Sequence, residues 1–202
     1  MVLFAILLLL PSTRSVGLWL LQENHPIELG TAFILFAGCA VSMVRAVKIR
    51  KVGGTFIIYG FYIVFGMGLL FVAMEELAWG QWLFGFETPE ACKVINRQGE
   101  TTLHNLAFFQ GHSEFTRMTF GLGALAGVWI GLYPKFSKIG VPALLLPWIA
   151  IIIVHAGIDA FNDFIPIQPR FDLAINKTSE LIELYIASTA FLYPFLNGRI
   201  QD

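Results

Sequence analysis

Apolar residues occur in long runs that short polar segments separate. The runs cover residues 2–21, 29–47, 55–76, 115–133, 141–161 and 176–196. A helix needs about 20 apolar residues to cross a hydrocarbon core of roughly 30 Å. Because a backbone in lipid must satisfy its hydrogen bonds internally, runs of this length are typical of transmembrane helices. The pattern predicts an all-α, polytopic transmembrane helix bundle of about six spans in one integral membrane domain, residues 1–202.

The first run is the least regular of these segments. Pro11 interrupts it, and Arg14 lies near its middle. An arginine in the hydrocarbon core is costly unless it is paired or hydrated. We expect residues 2–21 to span the membrane, with a re-entrant or interfacial segment as the alternative.

Two further patterns concern the third and fourth spans. We expect the third helix to continue through Glu76 to about Phe84, before an outer loop, residues 85–113, that carries a short interfacial helix. In the fourth span Gly123, Gly127 and Gly131 recur every fourth residue. This small-residue pattern predicts a close approach of a neighbouring helix backbone.

Lysine and arginine are unevenly divided between the two sides of the predicted bundle. One side carries Arg45, Lys48, Arg50, Lys51, Lys135, Lys138 and Arg199. The positive-inside rule makes this side cytoplasmic, together with both termini. Every Asp and Glu except Asp202, and all 4 His, fall in the opposite half. We expect the cytoplasmic half to hold no buried ionisable group other than Arg14.

Composition supports the membrane assignment. Hydrophobic residues make up 56% of the chain and charged residues 13%, against about 25% charged in soluble domains. The net charge of -1 provides no basic surface for nucleic acid. The expected partners are the lipid bilayer, a lipid-like substrate and a membrane protein partner.

Ionisable side chains collect near the outer ends of the predicted spans. Intramembrane ionisable residues almost always point inward, paired or facing a wet cavity. The members of this predicted site are Glu75, Glu76, His104, His112, His155, Asp159, Glu180 and Glu183. Because antiparallel helices bring these positions to one membrane depth, we expect them to meet.

The predicted chemistry is hydrolysis assisted by a divalent metal, either zinc or iron/manganese. Imidazole and carboxylate are good ligands for these ions. The candidate metal ligands are His155, Asp159, Glu76, His112 and Glu183. The candidate catalytic residues, which would transfer protons or activate a metal-bound water, are Glu76, Glu75 and His104. The Glu-x-x-His motif of dinuclear carboxylate sites is absent from the sequence.

A purely structural interpretation of the same residues stays open. Glu75 or Glu76 would then end a helix at the interface, bonded to Arg117 or Trp79. His155 would be a buried histidine that stabilises the bundle by a hydrogen bond to Asp159.

Residues 75–81 (EELAWGQ) and 98–105 (QGETTLHN) resemble segments of an uncharacterised family of bacterial multi-pass membrane proteins. The resemblance implies a protein of the bacterial inner membrane, with the polar site toward the periplasmic face, and brings no activity with it. Alkaline ceramidases and adiponectin receptors are similar in placing a His/Asp zinc site near one end of a bundle. Their paired His-x-x-x-His is absent, so His155-x-x-x-Asp159 would have to replace it.

These observations favour a metal-dependent membrane hydrolase or lipid-modifying enzyme. One alternative is a non-catalytic subunit or assembly partner of a larger membrane complex. Another is a small transporter or receptor, against which the missing internal repeat and the apolar cytoplasmic half count.

Overall fold

The computed structural model of the chain describes residues 7–8, 10–22, 25–90, 102, 113–165 and 169–201. Within these ranges every regular element is a helix, which confirms the all-α class. The α-helices are α1 (Arg14–Leu20), α2 (Pro26–Lys51), α3 (Phe56–Glu76), α4 (Gln81–Phe84), α5 (Ser113–Gly131), α6 (Leu146–Phe164) and α7 (Pro169–Gln201). Short 3-10 turns cover Ala78–Gly80, Pro134–Phe136 and Ala143–Leu145.

Three segments of the described chain are long and apolar enough to cross a membrane. They are Pro26–Lys51, Phe56–Glu76 and Ala143–Asn162. They correspond to the predicted second, third and fifth spans and support a membrane protein. Helices α5 and α7 occupy the positions of the predicted fourth and sixth spans, but their first turns carry ionisable residues. The count of six spans stays a prediction.

The first apolar run does not form one continuous helix in its described part. Residues 10–13 form a turn, and α1 begins only at Arg14, whose side chain is exposed. A Cβ atom at Gly17 would lie 3.2 Å from Leu8, so the chain folds back on itself. Pro11 removes a backbone donor, and the turn follows from it. A reversal of the chain in this segment is what the re-entrant alternative predicts.

The bundle is organised around α2 and α7. Helix α2 packs on α3 and α7, whereas α6 connects α7 to α5. Gly38 lies where α2 and α7 cross: an added Cβ would be 2.8 Å from Leu69 and 3.3 Å from the Cα of Phe191. Small residues allow such close crossings in a membrane, where packing rather than water exclusion holds helices together.

The glycine row of α5 contacts mainly the segment that follows it. A Cβ at Gly131 would lie 3.0 Å from the Cα of Gly140, and one at Gly127 would lie 2.6 Å from Val141. Gly123 has open space around it. Gly127 and Gly131 therefore approach the non-helical segment at 140–141 and not the backbone of a neighbouring helix, and Gly123 borders a cavity.

A hydrogen-bonded cluster closes the end of the bundle opposite Glu75. The hydroxyl of Tyr62 donates to the carbonyl oxygen of Lys138, and that of Tyr193 donates to Ile139, each at 2.7 Å. The Asn197 amide donates to the carbonyl oxygen of Gly140 at 2.9 Å and to the Tyr62 hydroxyl at 3.1 Å. These bonds attach α3 and α7 to the turn at 138–140.

Arg45 is buried beside this cluster, with 5% of its surface exposed. Its guanidinium carbon lies 5.5 Å from the centroid of the Tyr62 ring. The expectation that this half contains no buried ionisable group other than Arg14 is therefore wrong. The sequence places Arg45 with the basic residues that follow it, but α2 continues to Lys51 and turns Arg45 toward the bundle.

Candidate functional site

The candidate site lies at the end of the bundle where α3 ends and α5 begins. A buried ion pair at this end joins α5 to α6, between Arg117 Nη2 and Asp159 Oδ2 at 2.5 Å. Arg117 is 3% exposed and Asp159 is 7% exposed. Nη2 also donates to Ser113 Oγ at 3.2 Å, one turn earlier on α5. The pair places a charge-assisted hydrogen bond inside the bundle.

Two nitrogen atoms of Arg117 have no hydrogen-bond partner among the described residues. These are Nε and Nη1, and both are buried. A buried donor without a partner costs about 1–3 kcal/mol, and more when it carries charge. The side chain is therefore held through Nη2, and its other two nitrogens are free to bind a further group.

His155 lies one turn before Asp159 on α6 and is 8% exposed. Its Nε2 is 3.0 Å from Thr178 Oγ1 on α7. The Thr178 hydroxyl donates its single proton to the carbonyl oxygen of Ala174, at 2.8 Å. With the Thr178 proton assigned to this carbonyl oxygen, Nε2 of His155 is the donor to Thr178. A neutral His155 then carries its lone pair on Nδ1, which is buried and has no hydrogen-bond partner within the part of the chain that the structure describes.

Four further carboxylates surround Glu76 closely enough to repel it. They belong to Glu183, Glu28, Glu180 and Glu75. Glu183 is also within electrostatic range of Arg117, so this carboxylate group adjoins the ion pair. Like charges at short range in a medium of low dielectric repel one another strongly. These carboxylates form the acidic side of the site.

Glu75 is fixed by a reversal of the backbone after α3. Ala78 and Trp79 have positive φ angles of 45° and 55°, which is uncommon for residues with a side chain. The reversal returns the Trp79 indole to Glu75, where Nε1 donates to Oε1 at 2.5 Å. The helix therefore ends at Glu76 and does not continue to Phe84 as expected. A hydrogen bond between Glu75 and Trp79 is what the purely structural interpretation of Glu75 predicts.

Only some of the predicted metal ligands lie together in the structure, and not all of those are free to bind a metal. Glu76, Glu183, His155 and Asp159 lie at one end of the bundle, but the Asp159 carboxylate is bound to Arg117. A guanidinium in that position competes with a metal ion. No cluster of three or more His, Cys, Asp or Glu side chains within the described ranges has an arrangement that could hold a metal. His104 and His112 lie outside the described residues.

Sequence reasoning underestimated three contributors to this site. The sequence pattern predicts Arg117 only as a partner of Glu75 or Glu76, and it does not single out Glu28 or Thr178. The sequence does point to Arg117 as a site residue, because a lone arginine in an apolar run needs an inward-facing partner. Which carboxylate becomes that partner depends on how α5 and α6 are rotated about their axes.

A largely apolar cavity begins one turn beyond Arg117 on α5. Its volume is about 400 Å³, and it lies between α3, α5 and α7. Its walls include Phe61, Phe65, Phe120, Gly123 and Tyr193, and Ile139 lies at its far end. Small-molecule sites usually measure about 300–1,000 Å³, so the cavity is large enough for part of a ligand.

Comparisons with protein-family models, with curated proteins and with solved structures find no match to this chain. The chemistry of the site is therefore the basis for a functional proposal.

Proposed function

We propose that this protein is a membrane enzyme that hydrolyses or otherwise modifies a lipid-like substrate at the site of Arg117, Asp159 and His155. The observation that carries the proposal is the pair of buried, unfilled hydrogen-bonding edges. Arg117 presents Nε and Nη1, and His155 presents Nδ1. A scaffold gains nothing from such groups, whereas a substrate oxygen would satisfy the arginine and a water would satisfy the histidine.

In this mechanism Arg117 binds the carbonyl or phosphoryl oxygen of the substrate. Donors aimed at an oxygen that gains negative charge lower the barrier of the chemical step. Asp159 and Ser113 hold Nη2 and so orient the guanidinium. Asp159 is therefore a positioning residue in the proposal.

His155 is the proposed general base. Thr178 holds Nε2, which leaves the Nδ1 lone pair to accept a proton from an attacking water. His155, protonated in this step, would then donate that proton to the leaving group. The apolar cavity supports a lipid-like substrate, since it begins at the next turn of α5.

We do not expect a divalent metal at Asp159, because Arg117 already binds that carboxylate. Glu76 and Glu183 are the ligands it would use in the described part of the chain, where carboxylates outnumber cations. Elemental analysis of the purified protein tests this: metal that is bound to the wild type and lost in Glu76→Gln and Glu183→Gln supports it. Metal that those variants retain contradicts this assignment.

We also propose that the site faces the outside of a bacterial inner membrane and that both termini are cytoplasmic. The support is the position of the basic residues. Lys48, Arg50 and Lys51 end α2, and Lys135 and Lys138 lie near the turn that Tyr62 binds. All five are at the end of the bundle opposite Arg117, as the positive-inside rule requires.

The enzyme proposal is tested on purified protein in nanodiscs. Ester-, amide- and phosphate-linked lipids are supplied in turn, and products are identified by mass spectrometry. We expect turnover of one class and a loss of at least about 100-fold in Arg117→Gln and in His155→Gln. Arg50→Gln, at an exposed arginine on α2, is the matched control. Absence of product from every class, or full activity in both site variants, overturns the proposal.

A further inference from the structure

Gly123 lies on the wall of the cavity beyond Arg117 and has open space around it. An added Cβ at Gly123 meets nothing within 4 Å, whereas one at Gly127, the next small residue in the row, would press on Val141. Gly123 lies on the wall of the cavity, between Phe120 and Ala124. A larger residue would fill the space there without moving a neighbouring helix.

Two of the three hydroxyl-bearing side chains on the wall have partners of their own. The Thr189 hydroxyl donates to the carbonyl oxygen of Tyr185 at 2.7 Å, and the Tyr193 hydroxyl donates to Ile139. The remaining surface is mainly aromatic and aliphatic carbon. A water molecule needs 2–4 polar partners, and this wall offers few. Hydrocarbon is the filling that matches it, because an empty space forfeits dispersion contacts.

The dimensions favour one chain rather than a whole lipid. From Thr119 to Ile130 the wall of α5 rises roughly 16 Å at 1.5 Å per residue. This is about half of a hydrocarbon core of roughly 30 Å, or the depth of one leaflet. The turn at 138–140, which Tyr62 and Tyr193 hold, borders the far end of the cavity.

The opposite end leads to Arg117. Phe120 follows Arg117 by three residues, so both side chains lie on one side of α5. A chain that enters the cavity at Phe120 brings its polar end to the level of the unfilled Nε and Nη1 atoms. One molecule would then satisfy the apolar wall and the buried donors together.

We propose that this cavity binds a single hydrocarbon chain of a membrane lipid, with the ester, amide or phosphate end of that lipid at Arg117. The inference rests on the proposed function in identifying this lipid as the substrate. It adds that the substrate is an amphiphile recognised through one hydrocarbon chain, and that its reacting end lies at Arg117.

The test is photo-crosslinking in nanodiscs of phosphatidylcholine that contain a trace of a phospholipid with a diazirine in one acyl chain. Labelled peptides are mapped by mass spectrometry. We expect label on α5 around Phe120 and Gly123, and a decrease of about tenfold in Gly123→Leu, whose side chain occupies the space of the hydrocarbon chain. Gly68→Leu is the matched control, since Gly68 is exposed on α3 and also has open space around it.

Label in Gly123→Leu equal to that in the wild type, at the same melting temperature, overturns the chain site. So does label spread evenly over all exposed helix faces. The readout does not require turnover. Labelling that Gly123→Leu abolishes, in a protein without activity on any lipid, refutes the enzyme proposal and leaves the chain site standing. Turnover unaffected by Gly123→Leu refutes the chain site alone.

Discussion

Arg117 and Asp159 lie 42 residues apart in the sequence, and a hydrogen bond between Nη2 and Oδ2 joins them inside the bundle. The bond connects α5 to α6 at the level where Glu76 and Glu183 approach from α3 and α7. Burying two charges is costly, and their attraction offsets this cost only when the remaining donors and acceptors are satisfied. Here two donor nitrogens of Arg117 have no partner in the described ranges, which supports the proposed role of this pair in binding.

Breaking this pair from the acidic side is expected to destabilise the protein. Asp159→Ala leaves a buried guanidinium without its counter-charge, which lowers the free energy of unfolding by about 3–5 kcal/mol. The measurement is reversible unfolding in mixed SDS micelles, with Glu87→Ala, at an exposed glutamate, as control. The double variant Arg117→Leu, Asp159→Leu should recover most of the loss. An Asp159→Ala protein as stable as the control contradicts the prediction.

Thr178 is expected to set the tautomer of His155. In the wild type, nitrogen NMR of labelled histidine should show a proton on Nε2 and none on Nδ1, because Thr178 accepts at Nε2. Thr178→Val keeps the shape but removes the acceptor, so the Nδ1–H form should gain population and stability should fall by about 1 kcal/mol. Thr116→Val, on the exposed side of α5, should change neither. A wild-type signal from Nδ1–H would refute the assignment.

The hydrogen bonds of the tyrosine cluster at the other end of the bundle should stabilise the 138–140 turn. Tyr193→Phe removes the donor to Ile139 and leaves a buried carbonyl, at a cost of about 1–3 kcal/mol. Amide exchange at residues 139–141 should accelerate as well. Tyr133→Phe, at a half-exposed tyrosine, serves as control. Unchanged exchange in Tyr193→Phe would mean that the turn is held by other contacts.

Alanine at Gly140 in the turn and alanine at Gly123 on α5 should change the stability of the protein in opposite directions. Gly140→Ala forces a Cβ onto the backbone of Gly131, and overpacking of this kind costs about 1–3 kcal/mol. Gly123→Ala adds a methyl group in open space and should stabilise the helix by up to about 1 kcal/mol. Thermal unfolding of both variants in detergent checks the pair. A destabilised Gly123→Ala protein would show that the cavity wall is more tightly packed than described.

The proposed topology predicts opposite labelling of two exposed serines. Ser113 begins α5 beside Arg117, and Ser137 lies in the turn at the other end. In a background without Cys39 and Cys92, an impermeant maleimide applied to intact cells should label Ser113→Cys and not Ser137→Cys. Both should react after permeabilisation. The reverse pattern would place the site on the cytoplasmic face.

By itself the sequence determined the helical class, the membrane environment and the level at which the ionisable residues lie. Apolar length specifies a span, and antiparallel connection places the ends of spans at shared depths, so Glu76, His155, Asp159 and Glu183 were expected at one end. These are properties of residue spacing along a helix axis, which can be read from local sequence.

Tertiary structure alone decided which side chains touch. The rotation of α5 against α6 pairs Arg117 with Asp159, and the rotation of α2 buries Arg45. The Trp79 reversal needs two residues at positive φ, a strained conformation that surrounding contacts must hold. Pairing, burial and strain depend on contacts between segments distant in sequence, and no periodicity within one segment encodes them.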